Sequence, residues 1–154
     1  MAGLSSIYGL AQSVGEVQSN LYSVYTKSSI EQNQSKIVEF NVKQLYDFGM
    51  NSLGVRISDY APYAPYTIYL KYLKGQPADR VTLRDTGAFH ESFYLEPGPD
   101  SFRITAADGK TNELVMKYGA AIFGLTQENI NKVASEIVYP SVMRDIRLKI
   151  FGHA

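Results

Sequence analysis

The chain has 154 residues, 15 basic and 15 acidic side chains and a formal net charge of zero. That length suits one domain with a buried core, and 45% apolar residues argue for an ordered fold rather than disorder. With no cysteine, disulfides, thiolate catalysis and cysteine-ligated zinc are excluded. Net neutrality removes the overall positive field that non-specific nucleic-acid binding relies on, so DNA contact is not expected, although a local basic patch would be compatible. Neutrality also sets no electrostatic barrier against association between copies.

The only histidines are His90 and His153, and no HExxH spacing exists, so no metal site is expected. Tyrosine occurs 12 times and tryptophan never. Tyrosine offers rigid apolar area with a polar tip and is enriched at protein interfaces. Residues 1–21 lack lysine and arginine, and no apolar run approaches the ~18 residues of a membrane span. The expectation is a chain without a signal peptide and with no membrane partner.

Residues 1–35 are rich in Ser, Gln, Asn and Gly. Leu4, Ile7, Ala11, Val14, Leu21 and Val24 recur at helical spacing, while three glycines weaken the helix. Such a segment needs a surface to pack on, either its own domain or a neighbouring subunit; on the second reading it is an N-terminal helical arm with Leu4, Ile7 and Val14 as intersubunit contacts. Residues 36–154 are read as a single α+β domain. Its first helix is expected over 36–53, with Gly54 as the residue after its C-cap and Val55 to Ile57 as a short extended piece. A proline-set loop follows at 58–66, whose Tyr60, Tyr63 and Tyr66 are candidate interaction residues. Thr67 to Lys74 then reads as a helix, with Tyr66, Tyr69, Leu70 and Leu73 on one side, ended by Gly75 and Pro77.

Residues 87–117 read as a three-stranded antiparallel meander. Phe89, Glu91, Phe93 and Leu95 alternate with polar residues; Phe102, Ile104 and Ala106 form the second strand, and Glu113 to Lys117 the third. Asp108-Gly109 reads as the hairpin between the last two. Residues 126–150 return to helix, with Thr126 as N-cap and Pro140 as a kink or a new start. The expected architecture is a short antiparallel meander packed against two or three helices.

Chemistry-bearing patterns are sparse. Asp85, Thr86 and Gly87 suit a structural turn, since both side chains can bond local amides and glycine can take a positive φ. Gly119 and Gly124 match no nucleotide-binding fingerprint and are read as tight turns. His90 and Glu91, neighbours on an expected strand, would point to opposite faces and make no dyad. Arg144 to Lys149 reads as a solvated helix face. No catalytic residue and no cofactor is expected.

Leu83-x-Asp85-Thr86-Gly87-x-Phe89-x-x-Ser92, then strands, then Lys117-Tyr118-Gly119, then Ile122-Phe123-Gly124-Leu125-Thr126 entering a helix, form a pattern over residues 80–140. The pattern resembles the tail-completion and virion-morphogenesis proteins of tailed phages. The resemblance implies a non-enzymatic virion component, made in the host cytoplasm and part of a closed ring at the head–tail junction or upper tail. Its partners would be further copies of itself and other neck, portal or tail proteins. Two other readings stay open at this point: a small carbohydrate- or peptidoglycan-active tail enzyme, which needs two converging acids, and a tyrosine-rich module recognising a host surface.

Overall fold

A computed structural model describes residues 21–98 and 101–152, in two units. Leu4, Ile7, Val14 and His153 lie outside the described residues. The larger unit spans residues 34–132 and is α+β. It begins with α2, Gln34–Phe48. Ile37 and Leu45 of α2 join Ile57 and Ile122 as aliphatic side chains with no exposed surface. Each contributes roughly 1.5–3 kcal/mol through burial.

Helix α2 ends five residues before the expected end at residue 53. Gly49 (φ 61°) turns the chain, and its N–H bonds the Leu45 carbonyl at 3.0 Å. Gly54, expected as that terminator, instead turns a tight loop. There the Asn51 side-chain oxygen accepts from the N–H groups of Leu53 and Val55, both at 3.0 Å. An asparagine that can satisfy two amides from its own side chain favours a turn over further helix. The expected extended piece at 55–57 is reduced to a single bridge between Met50 and Arg56, before a 3-10 turn at Ile57–Asp59. Helix α3 follows at Pro65–Leu73, with Pro65 in the first turn, where its missing N–H costs nothing. Gly75 stands just beyond it with a positive φ.

The expected meander contains two strands rather than three. Strands β1 (Phe93–Pro97) and β2 (Phe102–Ala106) pair antiparallel, with Leu95 opposite Ile104. Phe89, His90 and Glu91 belong to the one-turn helix α4, Ala88–Glu91. Phe89 and Phe93 are four residues apart, a spacing that fits a strand face and a helix face equally. Residues 113–117 lie in helix α5, Thr111–Tyr118. Asp108 starts that helix instead of a hairpin: its carboxylate accepts from the Lys110 N–H at 2.7 Å, and its carbonyl from the Thr111 N–H at 3.0 Å. Glu, Leu, Met and Lys are all good helix formers, so local propensity favours this outcome. A short turn at Ala120–Ile122 leads to α6, Gln127–Lys132. The Thr126 hydroxyl accepts from the Asn129 N–H at 3.3 Å, as an N-cap should.

The second unit comprises, among the described residues, 21–33 and 133–152. Residues 21–32 are helical (α1), and Asn33 breaks the run by bonding the Ser29 carbonyl through its side chain at 2.8 Å. A π-helical segment at Val133–Val138 precedes α7, Tyr139–Phe151. Pro140 stands in the first turn of α7. Its ring would crowd the carbonyl of Glu136 in a regular α-helix, and it has no N–H to return there. The wider π turn sits where that conflict falls, so the helical path absorbs the proline without stopping. No helix among the described residues is long and apolar enough to cross a membrane.

Candidate functional site

Helix α3 is turned the wrong way round for its composition. Lys71 is its buried residue, at 6% exposure, while Tyr66 is 70%, Tyr69 57%, Tyr72 79% and Leu73 62% exposed. An ordinary surface helix buries its apolar stripe and shows its charges to water. The cause lies in the backbone that α3 packs on. The segment Thr82–Arg84 forms no regular ladder, and its polar groups need partners from elsewhere.

Lys71 and Tyr63 supply them. The Lys71 ammonium donates to the Arg84 carbonyl at 2.7 Å, to Gln76 Oε1 at 3.1 Å and to Thr82 Oγ1 at 3.4 Å. It also stands over the Tyr63 ring, 5.0 Å from the centroid. The Tyr63 hydroxyl accepts from the N–H groups of Thr82 at 3.0 Å and Leu83 at 3.2 Å. Gln76 donates to the Asp85 carbonyl at 2.7 Å. Held this way, Leu83 adopts φ 53°, the one positive φ at a non-glycine residue among those described. Because the polar edge of α3 is committed inward, its aromatic edge faces solvent.

The turn expected at Asp85-Thr86-Gly87 follows directly. Asp85 pairs with Lys74, and the hydrogen bond and charge of Lys74 hold its carboxyl below the usual range. The Thr86 hydroxyl accepts from the Ala88 N–H at 3.4 Å. Gly87 has φ 107° and its carbonyl accepts from the Glu91 N–H at 3.0 Å, starting α4. Gly119 and Gly124 also have positive φ, 85° and 112°. A Cβ on Gly124 would come within 3.1 Å of Ser52 Cβ, so this position needs glycine for space as well as for backbone.

The Ile122–Thr126 connection is held by two polar side chains of α2. Asn41 donates to the Ile122 carbonyl at 3.1 Å and accepts from the Gly124 N–H at 3.0 Å. Gln44 accepts from the Thr126 N–H and from Asn129 Nδ2, both at 2.9 Å. Asn41 is fully buried and Gln44 nearly so. Both lie among Ile37, Val38 and Leu45 on the inner face of α2, and that placement of amides within an apolar stripe was the available sequence signal for them.

Of the three candidate tyrosines, only Tyr66 is widely open. Tyr60 is half exposed, with its hydroxyl donating to the Tyr118 carbonyl at 2.9 Å, and Tyr63 is occupied as the strut just described. Ile68, Tyr69, Tyr72 and Leu73 complete an exposed apolar face with Tyr66. The sequence reading placed Tyr66, Tyr69, Leu70 and Leu73 together on one side of this helix but gave no role to Lys71, the residue that sets which side faces out.

His90 and Glu91 make no pair. The separation arises in a helical turn rather than on the expected strand: His90 is buried and Glu91 exposed. The His90 ring meets Phe93 edge-on at 5.9 Å and Tyr46 at 6.5 Å, and its Nε2 has no hydrogen-bond partner among the described residues. Burial pushes its pKa down to about 4, against a weaker upward pull from the Thr82 backbone. It is a neutral core imidazole at neutral pH. Among the described residues, no group of three His, Asp or Glu side chains could hold a metal ion. No family model, curated protein or solved structure matches the chain.

Proposed function

We propose that this chain is a structural virion protein of a tailed phage, one subunit of a ring at the head–tail junction, acting through contact between surfaces. The observation that carries this reading is the aromatic face of α3: Tyr66, Ile68, Tyr69, Tyr72 and Leu73 stand in water while the helix buries its lysine. Contiguous exposed apolar area on a folded unit favours a protein partner. Tyrosine suits that role because it brings area with little conformational entropy to lose. Zero net charge lets identical copies approach without repulsion. Ile150 and Phe151 in the second unit are likewise exposed.

The host-surface binding module draws on the same tyrosines, and mass separates the two readings. Sedimentation equilibrium of the purified chain over a hundredfold concentration range is expected to show reversible association above the monomer mass. A strictly monomeric chain with an intact α3 face would overturn the ring assignment and favour the binding module.

A further inference from the structure

The other side of α3 borders a cleft that the assembly reading does not use. The cleft lies between α3, the Leu83–Gly87 loop, α4 and α5, and encloses about 460 Å³. That volume is in the range of small-ligand sites. Thr67, Leu70, Lys71 and Lys74, at i, i+3, i+4 and i+7 of α3, form one wall. Leu114 and Tyr118 of α5 also line it, with Tyr63 and Phe89.

The cleft lining combines apolar and cationic side chains. Lys71, Lys74, Arg84 and Lys110 line it, against Asp85 and Asp108, which leaves two positive charges in excess (four minus two). The deficit is larger in effect. Asp108 is committed to the Lys110 N–H, and the buried Lys71 ammonium is bonded only to neutral oxygens. The Lys110 side chain makes no hydrogen bond or ion pair among the described residues. Asp85, paired with Lys74, also lies in the field of Lys71 and Lys110. Leu83, with its left-handed backbone, lies in the same wall, and backbone strain of that kind gathers at ligand clamps.

We propose that this cleft binds a small organic anion, a carboxylate or phosphate monoester carried on a flat apolar body. The anion sits at Lys74 and Lys110, where it takes the place of the Asp85 carboxylate. The body packs against Leu70, Tyr63 and Tyr118. This site is independent of the α3 aromatic face and of the ring assignment.

Ligand-observed saturation-transfer NMR on the full chain, with calorimetry for affinity, tests the proposal. Benzoate and phenyl phosphate are the probes and separate the two anion types; benzamide is the neutral control and inorganic phosphate the control without a body. The aryl anions are expected to show saturation transfer, with benzamide at least about tenfold weaker. Lys110→Gln should weaken phenyl phosphate binding roughly fivefold or more. Asp85→Asn should tighten it, because removal of the resident carboxylate frees Lys74. Both substitutions fall on exposed side chains, and unchanged circular dichroism establishes that the fold is retained. Equal transfer to benzamide, affinities unmoved by both substitutions, or no transfer at about 10 mM probe, a concentration above the weak end of specific binding, would overturn the proposal.

Discussion

Replacing Asn41 by leucine tests how the glycine-punctuated connection is held. Leucine shares asparagine's heavy-atom count and its branch at Cγ and has the higher helix propensity, so α2 itself should persist. What is lost is a donor at 3.1 Å to the Ile122 carbonyl and an acceptor at 3.0 Å for the Gly124 N–H. Ile122 has no exposed surface and Asn41 none, so water has no ready route to replace the amide. A buried polar group stripped of its partner costs about 1–3 kcal/mol, and two are stripped here, one of them at half-buried Gly124. The expected loss is therefore about 2–4 kcal/mol. For a unit near this size that lowers Tm by roughly 10 °C or more. Urea unfolding followed by circular dichroism, extrapolated linearly to water, measures it. A loss below about 1 kcal/mol at unchanged m-value would refute the claim that Asn41 holds this connection in place.

Two further substitutions probe the same unit. Gly124→Ala should cost at least about 2 kcal/mol by the same assay, since φ 112° strains any side chain and its Cβ would press on Ser52. His90 makes the fold sensitive to acid. Its folded pKa of about 4 lies below the unfolded 6.5, so between those values the unfolded chain takes up a proton that the folded chain refuses. The stabilisation is complete above pH 6.5 and fades as pH falls, by roughly 3 kcal/mol at pH 4. His90→Phe, measured at both pH values, should lose this part of the acid dependence; equal pH dependence in both proteins would contradict it.

Elements with a sustained helical period were legible from the sequence. Ile37, Val38 and Leu45 mark α2, and Thr126 with Ile130 and Val133 marks the start of the last helical run. The β-hairpin was legible where alternation was unambiguous, in Phe102, Ile104 and Ala106. It was misread where spacing fits two periods, as with Phe89 and Phe93, and where a five-residue run, Glu113 to Lys117, was too short to carry a period. Gly49 and Gly54 are both plausible helix terminators, and only the hydrogen bonds of Asn51 decide between them. The expected roles of Asp85, Thr86 and Gly87 rested on local chemistry, and local chemistry is visible in a sequence. The burial of Lys71 was not, because its partners are carbonyls and hydroxyls of residues 76–84 whose irregular path no pattern announces. The aromatic face of α3 was legible as a stripe; that it points to solvent follows from Lys71.

Sedimentation equilibrium of a Tyr66→Ser, Tyr69→Ser, Leu73→Ser triple variant beside the parent chain addresses the assembly claim most directly. All three side chains are more than half exposed, so folding should be nearly unaffected. The parent is expected to associate and the variant to weaken that association by at least about tenfold, with its circular dichroism unchanged. A variant that associates as strongly as the parent would contradict the claim that this face joins subunits.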